Sequence, residues 1–562
     1  MVAGKELKNR GWQAGGARII LNGDSLAGAR GHRKATVGHD FPGRLPAAAD
    51  AMQKPLAKGG RIRCDAVFYL SGPTDLPLFP MSTASASATP GRPWWKELSP
   101  YHWFVFIVAS AAWFFDCLDQ RLFSLARVPA LSSLMEKPPS DVDVQAFGKI
   151  VTAWFLIGWG IGGMIFGALG DRYGRAKMLT LTILIYSVFT GVSFFSHNEI
   201  DFTICRFMTG LGVGGVFGLA VALIAETVPS SARVQCLGLL QVLSTVGNVA
   251  AVGIKMIIDS LQNSQVITPG TGWRWMFLVG ALPACMIIFT RKKLKEPESW
   301  LKLKAEGRLP KGSIFTPYKN LLSDQRWRKN LILGSLIAST GVVGLWAIGE
   351  YAVDLQSAVF KTHFEALANP ELVQQVKNAS PGSEALATAQ KALDAVVKKP
   401  IEDAKNLAYL LNMLGAAVGM WLFTRFAAVA GRKLAFFIGF GLAMLVTVFV
   451  YWKMSSPMDA YWMMPLMGAV QLGPFAGFAI YLPELFPGRL RSTGTSFCYN
   501  LGRFAAAAGS FYSAVLTQKV FGGFEKPLPY RYSAMAMCAI FLVGMIAVLF
   551  APETKDKPLP ED

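Results

Sequence analysis

Charged side chains are scarce in this 562-residue chain: Lys, Arg, Asp and Glu make up 16% of it, against a hydrophobic share of 52%. A soluble protein carries about 25% charge, so the deficit argues against water as the solvent for most of the surface. Cysteine is sparse as well. The seven (Cys64, Cys117, Cys205, Cys236, Cys285, Cys498 and Cys538) contain no C-x-x-C pair, which predicts neither a disulfide framework nor a metal site. Most of them fall in apolar stretches, where Cys behaves as a small hydrophobe. No ATPase P-loop or catalytic constellation occurs; GDRYGRAK is basic like a phosphate loop but lacks its glycine spacing. Neither an enzyme nor a cofactor is expected. Residues 1–95 are rich in Gly, Ala, Arg and Pro and lack an uninterrupted apolar run, so no signal peptide is expected there. They read as a disordered cytoplasmic segment. Met81 opens MSTASASATPGRPWWKELSPYHW, so residues 1–80 read equally as a tail or as sequence ahead of the true start.

What the chain does have is apolar runs of about 17 to 25 residues, each long enough to cross roughly 30 Å of hydrocarbon as a helix. In lipid the backbone must satisfy its own hydrogen bonds, so repeated runs of this length predict an all-α membrane bundle. Twelve spans are read, near 103–126, 149–169, 177–196, 203–224, 234–258 and 273–290, then near 330–354, 404–426, 433–452, 460–482, 492–517 and 532–550. They make two six-helix bundles, 96–292 and 329–556, with a linker at 293–328 and a tail at 557–562. The segment 291–330 carries 12 Lys/Arg against 4 Asp/Glu, and the turns GDRYGRAK, GRK and PGRLR are basic too. The formal charge of +19 is therefore read as positive-inside bias rather than as a nucleic-acid surface, with both termini cytoplasmic. The outer segment 356–403 (EALATAQKALDAVVKK within it) suggests a surface amphipathic helix.

An internal repeat organises these spans. Glu226, Pro229 and Arg233 recur as Glu484, Pro487 and Arg491 at an offset of 258, and Gly174-Arg175 as Gly431-Arg432 at 257. Pro297-Glu298-Ser299 recurs as Pro552-Glu553-Thr554 at 255. Three motifs at nearly one offset indicate a duplicated parallel repeat, with any substrate site between the halves near the bilayer midplane.

GALGDRYGRAKML (167–179) resembles the loop between spans two and three of the major facilitator superfamily. RFMTGLGVGG (206–215), AETVPSSAR, the PES that closes the first half and the terminal PETK resemble its sugar-porter, organic-ion and metabolite–proton symporter branch. The resemblance covers roughly 96–556. Two departures stand out: Ala428 replaces the second-half counterpart of Asp171, and PESW is shorter than the usual form. GLLQVLSTVGNVAAVG lacks the Gly-Pro signature of many antiporters, which leans towards symport or facilitation.

An ionisable group in hydrocarbon costs about 2.5–3.5 kcal/mol on insertion scales, so those present need a reason. Asp116 and Asp119, in FFDCLDQRLFSLA, share a helical face. Asp119 lies roughly 25 Å from His102 along the helix and Arg206 roughly 7–8 Å from Asp201, which brings both to nearly one level. The resemblance pairs this Asp with this Arg, and Asp116-Cys117-Leu118-Asp119 is similar to the D-G-x-D of aromatic-acid and sialate-type proton symporters. Asp119, Asp116 and Arg206 are therefore expected to couple protons, with a static packing pair as the alternative. Arg503 sits roughly 18 Å beyond Arg491, near the midplane; it either grips an anion, as the resemblance to organic-anion transporters implies, or pairs with Glu350 or Asp354. Asn500, Gln241, Asn248, Gln471, Asn412 and Tyr481 are expected to line the same cavity. Asp171, Arg172, Arg175, Glu226, Arg233, Glu484 and Arg491, alternating in sign at the cytoplasmic surface, are expected to form an inner gate.

These readings converge on a monomeric secondary transporter of the inner membrane. It carries a small organic anion, coupled to protons, by rocking of two bundles. A sugar or polyol porter and a transporter-like solute receptor remain as alternatives.

Overall fold

A computed structural model describes residues 93–561, apart from 140, 369 and 379–382. The segment 1–92, which holds most of the expected disordered region, lies outside the described residues. Every regular element among the described residues is helical. The first half contains α1 (Pro100–Leu134), α2 (Val142–Tyr173), α3 (Arg175–Val192), α4 (Glu199–Thr227), α5 (Ser230–Asn263), α6 (Gly272–Gly280) and α7 (Pro283–Lys293). Two short helices, α8 (Glu298–Ala305) and α9 (Thr316–Ser323), lie in the link. The second half contains α10 (Gln325–Val343), α11 (Gly349–Leu367), α12 (Pro370–Asn378), α13 (Glu384–Ala430), α14 (Arg432–Lys453), α15 (Pro457–Glu484), α16 (Arg491–Val515), α17 (Leu528–Met537) and α18 (Ile540–Phe550).

Ten of these helices, taken with their direct continuations, are long and apolar enough to cross a membrane, and Gly272–Ile287 is a shorter apolar one. With α16, which carries Asn500 and Arg503 among Ser and Thr, the total is twelve. The chain is an integral membrane protein with the two-bundle, twelve-span fold. Large apolar side chains stand on its outside, among them Ile107, Trp421, Leu445 and Ile546. In water such a surface would drive aggregation, but against lipid tails it costs nothing.

Local chemistry sets the helix ends. Ser99 accepts from His102 N ahead of Pro100, and Asn198 and Ser456 cap α4 and α15 in the same way. Close approach sets the packing. A Cβ on Gly210 or Gly214 would strike the Phe155 or Trp159 carbonyl, and one on Gly415 or Gly419 the Pro465 or Ala469 carbonyl. Thus α2 lies directly on α4 and α13 on α15, small residues replacing the hydrophobic drive that lipid removes.

The repeat shows most clearly where α2 turns into α3 and α13 into α14. Gly174 (φ +116°) and Gly431 (φ +96°) hold conformations that side chains avoid. A Cβ there would land on the carboxylates of Glu296 and Glu553. Those carboxylates accept from the first backbone N–H groups of the next helix: Glu296 from Ala176 and Lys177, Glu553 from Arg432 and Lys433. The structural counterpart of Glu553 is therefore Glu296, not Glu298. The Pro-Glu-Ser/Pro-Glu-Thr match is displaced by two residues, because identity of letters followed the proline whereas function follows the helix N-terminus.

Expected boundaries change at the other end of the bundle. Span seven runs from Gln325 to Leu367 through a π-helical turn at Gly344–Ile348. Span eight begins at Glu384 and continues unbroken for 47 residues. A helix of that length is about 70 Å long, so it extends well past a 30 Å hydrocarbon layer. The predicted surface helix is thus the projecting end of a span. Lys361 on α11 bonds Asp394 on α13 at 2.8 Å, and Phe360, Leu393 and Val397 are buried.

Candidate functional site: a cationic cavity between the halves

The halves meet where α2 packs on α16 and α5 on α13. At mid-height Trp113 Nε1 donates to Gln241 Oε1 at 2.6 Å, and Gln241 Nε2 to Phe475 O across the interface at 2.9 Å. Phe217 and Tyr499 stack across the interface at 3.8 Å. Beyond this floor, away from the basic loops, lies a cavity of about 390 Å³.

Four cations line the cavity: Arg121 and Arg127 from α1, Lys405 from α13 and Arg503 from α16. Among the described residues no Asp or Glu lines it. The Arg503 guanidinium lies 3.8 Å from the Trp159 ring and 4.6 Å from that of Tyr499, while Nη1 donates to Tyr499 O and Asn500 Oδ1, both at 3.2 Å. Arg121 stacks on Tyr409 of the opposite half at 3.8 Å, and its Nε is buried without an acceptor. Asp354, an expected alternative partner of Arg503, faces Lys405 and Lys149 instead. The Glu350 side chain lies outside the described residues.

Of the expected lining residues, Arg503, Gln241, Asn248, Gln471 and Asn412 do face the cavity. Asn500 and Tyr481 do not. Asn500 sits behind Arg503, donating to Ser496 O at 2.8 Å. The Tyr481 hydroxyl donates to Pro552 O at the basic end, 2.7 Å away. Spacing placed both on the right helix, but neither side chain points into the space. Arg121, Arg127, Lys405, Tyr409, Trp113 and Trp159 were missed. A helical signal for α1 existed: Trp113, Cys117, Gln120, Arg121 and Ser124 recur at helical spacing and all line the cavity.

Asp116 and Asp119 lie behind the wall, 1% and 0% exposed. Asp119 Oδ1 accepts from Thr190 at 2.9 Å, and Oδ2 stands 3.9 Å from Arg206 Nη1. Arg206 spends Nη2 on Ser193 at 2.6 Å and rests on the Phe277 ring at 4.4 Å. The two groups predicted to lie at one level do meet.

At the basic end, Asp171 of α2 binds the start of α16. It accepts from Ser492 N at 3.1 Å, Thr493 N at 2.8 Å and Thr493 Oγ1 at 2.6 Å. A carboxylate of one half thereby caps a helix of the other, favoured by the helix dipole. Arg175 bridges Asp171 and Glu226, each at 3.0 Å, and Glu226 also takes Arg491 at 2.9 Å. Arg233 stands near Arg491, Glu484 and Glu226, with its Nε buried and without an acceptor among the described residues. Two expected gate residues bond elsewhere: Glu484 pairs with Arg432 at 2.9 Å inside the second half, and Arg172 donates to Gly312 O in the link. Alternating sign in the sequence cannot tell a bond within one half from a bond between halves. The link adds two clamps: Trp300 Nε1 donates to Asp171 O at 2.9 Å and the Tyr318 hydroxyl to Met164 O at 2.7 Å. Burial pushes that hydroxyl above the usual tyrosine range, so it stays a donor. Glu553 is held below its ordinary 4.5: burial raises it, but the N–H groups of Arg432, Lys433, Lys555 and Thr554 outweigh that.

Residues 106–340 match the family model described as "Sugar (and other) transporter". A putative metabolite transport protein of Haemophilus influenzae is 28% identical over 83% of this chain and 99% of its own length. The cis,cis-muconate transport protein of Acinetobacter baylyi is 26% identical over 81% of this chain and 95% of its own. Among solved structures, the proton:xylose symporter XylE bound to 6-bromo-6-deoxy-D-glucose aligns with a TM-score of 0.60. It is 19% identical and covers 82% of this chain and 98% of that one, which speaks to the fold alone.

Proposed function

Because the chain belongs to the major facilitator superfamily, in its sugar-porter and metabolite branch, we propose that this transporter is a proton-coupled symporter of a small organic carboxylate. The observation that carries this reading is the lining of the central cavity: four cations from both halves, with no carboxylate among the described residues. An anion entering such a space gains charge-assisted bonds from Arg121 and Arg503. A sugar would bring no charge to meet the guanidinium groups of Arg121 and Arg503. Three of the lining amides are engaged within the protein, Gln471 donating to Thr447, Asn412 to Met464 O and Gln241 to Phe475 O. Trp113, Trp159, Tyr409 and Tyr499 supply flat apolar walls, which suit a planar conjugated acid. The name of the muconate relative agrees with this class.

The state observed is closed at the basic end by the Asp171 and Glu226 bonds between halves. By the positive-inside rule that end is cytoplasmic, as are both termini in an inner-membrane protein, and this is the outward-facing form. Rocking of the halves breaks that closure and opens the cavity inward. Proton coupling rests on a buried carboxylate of α1, Asp116 or Asp119, the latter with Arg206 opposite. The protein works as a monomer, since one chain holds the whole cavity.

A thermal-shift screen of the purified protein against benzoate, cis,cis-muconate and xylose tests the substrate class. Carboxylates should stabilise the wild type in a concentration-dependent way, and Arg503→Gln should lose the effect. Stabilisation by xylose alone would replace this reading with a sugar porter.

A further inference from the structure

Among the described residues Asp116 has no hydrogen-bond partner that accounts for it. The residue is 1% exposed, and neither carboxylate oxygen meets a hydrogen-bond donor. An ionised carboxylate so placed is costly to keep; it calls for a proton or a cation. The groups facing it are Arg503 from α16, Tyr186 from α3, and Asp119 and Cys117 on its own helix. Only Arg503 is a cation, and it belongs to the opposite half. Arg503 also lines the cavity, and its Nε has no acceptor. Asp119 differs on each count. Thr190 and Arg206 hold it from within its own half, and Arg206, unlike Arg503, does not line the cavity.

We infer that Asp116 is the competing counter-ion of Arg503: with a proton on Asp116 the guanidinium is free to take the substrate carboxylate, and loss of that proton returns Arg503 to Asp116 and expels the anion. The inference rests on the proton-coupled anion reading and deepens it. The conformer seen is the proton-loaded one, because Arg503 Nη1 bonds Tyr499 O and Asn500 Oδ1 and leaves Asp116 unbonded. The proton departs to water on the side where the cavity opens next. One proton then accompanies one carboxylate, since both claim one guanidinium. Asp119 and Arg206 become the fixed pair that holds α1 against α3 and α4.

The test has two arms on the full chain in lipid nanodiscs. In ligand-free protein at neutral pH, infrared difference spectroscopy should show a protonated-carboxyl band. Asp116→Asn should remove the band and Asp119→Asn should keep it. Survival of the band in Asp116→Asn overturns the inference and leaves the anion reading intact. In the second arm, binding of cis,cis-muconate and benzoate is measured from acid to mildly alkaline pH. Wild-type binding should weaken at least about tenfold as the pH rises, whereas Asp116→Asn should bind equally well throughout and Asp116→Glu should restore the dependence. A variant with the wild-type pH profile overturns the inference. If neither carboxylate binds the wild type at any pH, the anion reading falls, and the exchange at Arg503 falls with it. Asp116→Ala serves as a second neutral variant if Asp116→Asn does not give monodisperse protein.

Discussion

Replacing Asp171 with Asn should tip the transporter towards its other conformation without touching the cavity. In the state seen, the carboxylate accepts three hydrogen bonds from the start of α16, and its exposure is 0%. The bond to Arg175, four residues on, lies within one half and survives rocking, so it cancels between states. The three bonds to Ser492 and Thr493 do not. An asparagine keeps one acceptor oxygen but turns an NH₂ group towards a donor, leaving at least one buried N–H or O–H unanswered. A hydrogen bond to a charged group contributes about 1.5–3 kcal/mol, and a capping side chain about 1. The closed state should therefore lose about 2–3 kcal/mol, a shift of about 30- to 150-fold in the conformational equilibrium. Spin labels at Lys177→Cys and Arg425→Cys, exposed positions on opposite halves near this end, report it by pulsed electron resonance in a cysteine-depleted background. A second, longer distance should appear or dominate in Asp171→Asn while carboxylate binding persists. An unchanged distribution would mean that these bonds do not decide which end is closed.

Three further outcomes are expected. In intact cells an impermeant maleimide should label Lys391→Cys, on the projecting end of α13, and spare Lys311→Cys in the link; reversed labelling overturns the assignment of inside and outside. Arg121→Gln should weaken carboxylate binding about tenfold or more by removing a charge-assisted bond, whereas Arg121→Lys should recover only part of it, because an ammonium cannot form the planar stack on Tyr409; equal affinity in all three proteins would take Arg121 out of the binding site. Glu553→Gln should lower the melting temperature at neutral pH. Since the folded protein holds Glu553 below its ordinary 4.5, the advantage of the wild type is fully present above that value and fades as the pH falls through and below it. A melting difference that grows on acidification contradicts the capping role.

The sequence by itself determined the solvent, the number of spans, the duplication and the placement of the main charges. Each follows from composition or spacing along one helix, and both are linear properties of the chain. Asp119 and Arg206 could be brought to one level because a helix converts residue count into depth. Tertiary structure decided which side chains share a space. Arg121 stands two residues past Asp119, yet on a helix that separation is about 200°, so one faces the cavity and the other faces Thr190. No count along α2 shows that Asp171 caps α16, since its partners lie 321 and 322 residues away. Nor does the paired Pro-Glu motif show that Glu296 rather than Glu298 matches Glu553. That choice depends on which carboxylate reaches the free N–H groups of a helix start, a matter of direction in space.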